Sequence, residues 1–340
     1  MKKIFFIFLI LSPIFSCNSE DQVVEKEKEK INLFSEKAKV VGYLPSWNFG
    51  SFNKIEFCKL THLNLAFANP DSEGNLIMAD VSNIINKAKI DNPNIKISIS
   101  IGGGSLTSAQ ASNWSNLIVS SENRSKIISK TVKYVLDNNF DGVDVDLEWE
   151  YVTTGYSEFI IGLNNELDKH SKIITAAFPA KTRYSKLNDA ALNTFDFINI
   201  MAYDFTGPWN PSSPGQHSSY NHAEESINFW TNSVGISGEK LTVGVPFYGY
   251  DFSDSANVSA FSFSTMVSLN KSYAEIDNVG SKYYNGRPTI ANKIKLAGTK
   301  LSGVMIWELG QDSFNEYSLL KTIHEEYSNL GVKTTNLCNN

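Results

Sequence analysis

One stretch limits what this chain can fold into more than any other. Residues 140–150 read Phe-Asp-Gly-Val-Asp-Val-Asp-Leu-Glu-Trp-Glu. Apolar and acidic side chains alternate at the period of a β-strand. Val143, Val145 and Leu147 therefore share one face, and Asp144, Asp146 and Glu148 the other. Neighbours on a face lie about 6.6 Å apart, two residues at roughly 3.3 Å each. Burying a charge without a partner is costly. A core strand that aligns three carboxylates thus implies a use for them. Asp141 has the parity of the valines and stands beside Gly142 where the strand begins. A turn role accounts for it as well as a chemical one.

Carboxylates so placed raise one another's pKa values and titrate as a unit. One of them can then stay protonated near neutral pH, as a general acid must. Glu148 is the candidate: it ends the ladder, has the longest side chain, and adjoins Trp149, where strand gives way to loop. Clustered carboxylates also bind hard cations such as calcium. Calcium loops alternate their acidic residues with Gly, Asn and carbonyl ligands rather than with valines, so no metal or other cofactor is expected.

Further apolar runs over 38–44, 62–68, 95–101, 172–178, 195–201, 241–245 and 303–307 read as buried strands. Helical spacing appears over 77–90, over 108–138 with a break near 120–123, and over 158–167, 187–192, 223–234, 289–300 and 318–326. Strands alternating with helices in this way predict an α/β class chain folded as a TIM (β/α)8 barrel. Chemistry in that fold sits at the carboxyl ends of the strands. Tyr43, Phe67, Glu148, Met201, Tyr203, Asp204 and Trp307 all fall at or just past those ends. The net charge of -6 argues against a nucleic-acid partner. Aromatics at 12% with few basic residues suit a neutral polymer such as a polysaccharide.

From Asp141 to Glu148 the chain resembles the acidic signature of glycoside hydrolase family 18, the chitinases and their relatives. Ser100-Ile101-Gly102-Gly103 is similar to the family's third-strand motif. Met201-Ala202-Tyr203-Asp204 with Gly207-Pro208-Trp209 resembles its sixth-strand segment. Gly244 to Gly249 resembles the seventh, and Gly303 to Asp312 the eighth. The resemblance implies substrate-assisted catalysis, an exception to the usual scheme of two carboxylates. Glu148 would protonate the leaving oxygen and later activate water. Asp146 would orient the substrate's acetamide and steady the oxazolinium ion, with Asp144 deeper and sharing a proton or hydrogen bond with it. Tyr203 would donate to the acetamide, and Asp204 would contact the sugar. Trp307 would floor the sugar, and Tyr43, Phe67 and Met201 would wall the pocket. Gly103 would let backbone pass close to the acidic strand, though an ordinary strand-to-loop break fits it equally well. Trp209 would lie along the groove as a sugar-binding residue.

Two positions depart from the family's pattern. Gly104 stands where many chitinases carry Trp after the double glycine, so a stacking platform on the leaving-group side is missing. Tyr250 stands where many relatives have Arg, and is expected to alter a link between barrel and insertion rather than the chemistry.

Lys2 and Lys3 precede an apolar run over 4–15, then Ser16 and Cys17. This reads as a secretory leader, too short to span a membrane as a mature helix. Ile14 to Cys17 resembles a lipobox, with Phe15 a poor fit, and predicts lipid on Cys17. The acidic residues that follow predict an outer-membrane or cell-surface lipoprotein. The expected organisation is a leader over 1–17, a tether over 18–36, a barrel over 37–332 with a short insertion over 251–286, and a tail over 333–340. Cys58 lies in an apolar segment and reads as a buried free thiol. Whether it pairs with Cys338 the sequence leaves open.

The function expected is hydrolysis of chitin or N-acetylglucosamine oligosaccharides by a monomer, held to a membrane only through its lipid. The small insertion and the bare Gly104 predict endo-type cutting. An endo-β-N-acetylglucosaminidase acting on N-glycans shares the signature. A non-catalytic chitin-binding lectin is the third reading, but such relatives usually lack the acid that Glu148 supplies.

Overall fold

The computed structural model describes residues 32–334. The leader, Cys17, most of the tether, and the tail from 335 onward with Cys338 lie outside the described residues. Eight parallel strands are β1 (Lys39–Pro45), β2 (His62–Pro70), β3 (Lys96–Gly103), β4 (Gly142–Leu147), β5 (Ile173–Pro179), β6 (Phe197–Met201), β7 (Leu241–Pro246) and β8 (Gly303–Trp307). Each pairs with its neighbours in chain order, and β8 pairs back onto β1, which closes the barrel. No described helix is long and apolar enough to cross a membrane.

Parity sorts each strand. Val143, Val145 and Leu147 on β4 are fully buried in the apolar layer between strands and helices. Each such burial contributes about 1.5–3 kcal/mol. A second apolar cluster fills the barrel's interior, with Val41, Tyr43, Ala66, Phe197 and Met305 among its members. Asp144 and Asp146 face that interior from β4, where they are 0% and 3% exposed. Register then chooses their neighbours. Ser100 of β3 and Thr175 of β5 lie at the level of Asp144, and Gly102 at the level of Asp146.

The helices follow the sequence pattern with instructive exceptions. The long helical region does break, into Ser108–Val119 and Ser121–Asp137. Ser120 is extended and caps the second helix by accepting the Asn123 N–H at 3.2 Å. The first helix begins at Ser82, not at Ile77, because the Asp80 carboxylate takes the Ser82 N–H in a turn. Leu76–Ile77 instead pairs antiparallel with the end of β2.

The insertion is more structured than expected. The strands Tyr248–Asp251, Ser259–Ser262, Asn278–Val279 and Lys282–Tyr283 form a small antiparallel sheet. A short helix follows over Phe263–Leu269, with Phe263, Met266 and Val267 buried. The sheet starts directly after β7. One expectation is corrected here: Cys58 is disulfide-bonded rather than a free thiol. Its partner lies outside the described residues.

Candidate active site

Asp144 sits at the bottom of the acidic ladder, surrounded by donors. Its Oδ2 accepts from the Tyr43 hydroxyl and from Ser100 Oγ, each at 2.8 Å. Its Oδ1 accepts from Thr175 Oγ1 at 2.6 Å and from Asn199 Nδ2 at 3.4 Å. Burial pushes its pKa up, and those four hydrogen bonds pull against it. Asp146, one step higher, has the opposite situation. Its Oδ1 is buried with no hydrogen-bond partner among the described residues. Burial, then the charges of Glu148 and Asp144, hold its carboxyl well above the usual carboxylate range. Its neutral form is thereby favoured relative to that of an ordinary carboxyl.

Glu148 ends the ladder at the mouth, half-buried, and its carboxyl has no hydrogen-bond partner among the described residues. Burial, then the charges of Asp204 and Glu150, push its pKa up to about 7. Gly102 and Gly103 at the end of β3, and Gly104 just after it, make room for the acidic strand, the Phe67 ring and the Glu148 carboxyl in turn. Gly102 and Gly103 have φ of +103° and +104°, which side-chain-bearing residues rarely adopt. A Cβ on Gly102 would also lie 2.8 Å from the Asp146 carbonyl oxygen. Gly102 is thus the residue that lets backbone pass close to the acidic strand, whereas a Cβ on Gly103 would meet the Phe67 ring at 3.0 Å. A Cβ on Gly104 would come within 2.5 Å of Glu148 Oε1. Gly104 is therefore more than a missing ring: the acid's carboxyl rests where a side chain would begin.

These groups open into a cleft of about 960 Å³ at the carboxyl ends of the strands. Phe67, Gly103, Met201, Tyr203, Asp204, Trp209 and Trp307 line it together with Asp146 and Glu148. Trp307 and Phe67 stack at 5.8 Å, and Trp47 meets the Trp307 ring edge-on at 6.3 Å. Among the described residues the Tyr203 hydroxyl has only the Met305 sulfur, at 3.8 Å, and burial holds its pKa well up, so it remains a donor. Tyr43 is a correction. It is 1% exposed, does not line the cleft, and serves as a hydrogen-bond donor to Asp144. Asp141 lies at the far end of β4, where Lys89 at 2.9 Å and the Ile97 N–H at 2.9 Å hold it. Its role is structural.

Residues 39–312 match the sequence profile of glycosyl hydrolases family 18. The chain belongs to that family. It is similar to a solved structure, the GH18 chitinase ChiB from the chitin utilization locus of Flavobacterium johnsoniae. The two are 50% identical, and the match covers 89% of this chain and 98% of that one with a TM-score of 0.88. Among curated relatives it is 25% identical to probable chitinase 2 of Drosophila melanogaster, over 66% of this chain and 58% of that protein. It is 26% identical to chitinase 1 of Aphanocladium album, over 70% of this chain and 66% of that protein. The chain thus spans less than two thirds of the length of these curated relatives.

The family 18 site has parts that the sequence did not reveal. Tyr250 was expected to act away from the chemistry, yet it lines the cleft and donates to Asp204 Oδ1 at 3.0 Å. The Tyr248 hydroxyl donates to the same oxygen. Asp204 itself has φ of 63°, tolerable for a short polar side chain. His217 brings Nδ1 within 3.3 Å of Asp204 Oδ1, and its Nε2 lies 3.2 Å from the Tyr248 carbonyl. A carbonyl only accepts, which puts a proton on Nε2. Lys293, fully buried, donates to the Ser218 carbonyl at 2.6 Å, to Ser218 Oγ at 2.7 Å and to Asn285 Oδ1 at 2.7 Å. It clamps the loop after β6 that carries Asp204 and His217. The signals for Ser100, Thr175 and Asn199 were single polar residues inside apolar strands.

Proposed function

We propose that this protein is a chitinase that cleaves β-1,4 links between N-acetylglucosamine units, using the substrate's own acetamide as nucleophile. One observation carries the reading. The partnerless Oδ1 of Asp146 and the near-partnerless hydroxyl of Tyr203 line one cleft beside Glu148. Buried polar groups are normally satisfied. An acetamide supplies the complement to both, an N–H for Asp146 and a carbonyl for Tyr203. The similarity to a chitinase across 98% of that chain supports the substrate class.

The steps follow from these positions. A sugar on Trp307 turns its acetamide oxygen toward its own anomeric carbon. That oxygen forms a bond to the carbon as the glycosidic C–O bond breaks, and Glu148 gives its proton to the leaving oxygen. Asp146 yields its proton toward Asp144 and, as an anion, steadies the oxazolinium cation. Water then attacks the anomeric carbon, and Glu148 takes the water's proton. Two inversions give retention. The decisive experiment incubates the protein with chitotetraose and, separately, with a high-mannose glycoprotein, and identifies the products by NMR. Chitooligosaccharides released first as the β-anomer are expected. Release of N-glycan alone would replace the reading with an endo-β-N-acetylglucosaminidase, and binding without release with a lectin.

The pH dependence follows from Glu148, which must be protonated to act. With its pKa at about 7, kcat/KM should hold below that pH and fall above it. The fall should approach about tenfold per unit. A pH–rate profile on a neutral oligosaccharide checks this, and a plateau persisting well into alkaline pH would remove Glu148 as the acid.

Cutting is proposed to be internal to the chain. Trp47, Trp149 and Trp209 are exposed and line the cleft from loops after β1, β4 and β6, so a polymer can be held on both sides of Glu148. Early products from soluble chitin should be long and viscosity should fall quickly. Disaccharide as the dominant first product would reverse this. For location, the lipobox-like segment supports a lipid anchor on Cys17. Cys17→Ser should then leave the membrane fraction, whereas a wild-type protein already soluble would defeat the idea.

A further inference from the structure

We propose that Trp149 is the platform on which the leaving-group sugar stacks. The proposal deepens the chitinase reading and rests on it. Its first support is topological. In the closed ring of eight strands, β4 lies opposite β8. Trp307 ends β8, and Trp149 follows β4 by two residues. A sugar chain laid across the mouth from Trp307 reaches Glu148 and then Trp149. The unit beyond the protonated oxygen is the leaving group, so Trp149 stands on its side.

The second support is the way the ring is held. Trp149 is 52% exposed and lines the cleft. Its φ is 49°, a conformation bulky residues seldom adopt. Strained backbone of this kind persists where the surroundings over-determine it, and it clusters at ligand sites. Here the Trp149 N–H donates to the Tyr184 hydroxyl at 3.2 Å, and the two rings meet edge to face at 6.0 Å. Tyr184 is itself buried. The indole is therefore aimed into the cleft by a fixed partner. A rigid amphipathic ring with one free face suits the apolar face of a sugar.

The third support is the bare floor beside it. Gly104 offers no side chain, and a Cβ there would displace the Glu148 carboxyl. No ring can come from that position without moving the acid. Gln110 adds a polar complement on the same side. Its Oε1 accepts the Thr107 N–H at 2.9 Å, and its Nε2 has no hydrogen-bond partner among the described residues. That amide can donate to a sugar hydroxyl.

The test separates the leaving side from the rest of the site. Trp149→Asn keeps a residue that tolerates positive φ and removes the ring. Trp149→Tyr keeps a ring. Two substrates are compared: chitopentaose, which fills the leaving side, and β-chitobiosyl fluoride, whose leaving group is a single atom. For Trp149→Asn, kcat/KM on the pentasaccharide should fall by roughly tenfold or more, mainly through KM. On the fluoride it should stay within about twofold, and Trp149→Tyr should recover most of the loss. Equal losses on both substrates, or no loss on the pentasaccharide, would overturn the proposal. Failure of the wild type to cleave the pentasaccharide would instead strike the chitinase reading, and this inference with it.

Discussion

Glu148→Gln is expected to lower kcat by roughly 100- to 10,000-fold while leaving fold and oligosaccharide binding intact. The amide has the shape of the acid and cannot supply a proton. Fold should survive because the Glu148 carboxyl makes no hydrogen bond to the described residues, and its backbone carbonyl, which accepts the Tyr151 N–H at 2.9 Å, is unchanged in the variant. Stability should even gain at high pH. The folded pKa is raised from 4.5 to about 7 by burial, then by Asp204 and Glu150. Between those values the folded state holds a proton that the unfolded state has lost, so stability falls as pH rises through that window. Above about 7 the whole penalty is present, and the glutamine variant does not carry it. Its Tm at pH 8 should therefore match or exceed that of the wild type. Single-turnover kinetics on chitotetraose, with binding followed by tryptophan fluorescence, checks the catalytic half. Near-normal turnover would remove Glu148 from the acid role.

The sequence exposed the ladder well because parity is a local property. Val143 and Asp144 fall on opposite faces whatever the rest of the chain does. The barrel was legible for a similar reason, since each strand is an apolar run bounded by polar turns. What surrounds the ladder was harder. Ser100, Thr175 and Asn199 reach Asp144 only because the strands pair in one register, and register is a tertiary outcome. The interior polar positions in Ile97 to Gly103 did carry a trace of it, as Ser98 and Ser100 alternate with three isoleucines.

Tyr43 was placed at a strand end correctly, but strand ends say nothing of depth. Its ring lies below the cleft, beside Asp144. Tyr250 was misjudged because the insertion's short strands hide in a polar segment. Only when that strand pairs with Ser259–Ser262 and Lys282–Tyr283 does Tyr250 turn toward Asp204. Trp149 was invisible for a different reason. Nothing in a tryptophan announces a positive φ, since the sequence signal for that conformation is glycine or asparagine.

Substrates without an N-acetyl group are expected to be essentially inert, and Asp146→Asn should lose roughly 100- to 1,000-fold in kcat with little change in KM. Both results follow from one geometry. No carboxylate of the ladder is free to attack carbon. Asp144 is enclosed by four donors and fully buried. Burial, then Glu148 and Asp144, hold the Asp146 carboxyl well above the usual range, which disfavours the anion that an attack would need. Glu148 is assigned, in the proposed mechanism, to the leaving oxygen. The nucleophile must then come from the substrate, and an acetamide fixed beside its own anomeric carbon has the advantage of an intramolecular reaction. Such placement is worth effective concentrations of about 10⁵ M or more, so fully deacetylated chitosan should react at least roughly 1,000-fold more slowly than chitin oligomers of equal length. Asp146 acts on the cation that forms. In the proposed mechanism its proton moves toward Asp144 as charge develops, and the asparagine amide can orient the acetamide but cannot become an anion. Rates on matched acetylated and deacetylated oligomers, measured for wild type and Asp146→Asn, test the pair. Efficient cleavage of deacetylated chitosan by the wild type, abolished in the asparagine variant, would make Asp146 a covalent nucleophile and refute substrate assistance.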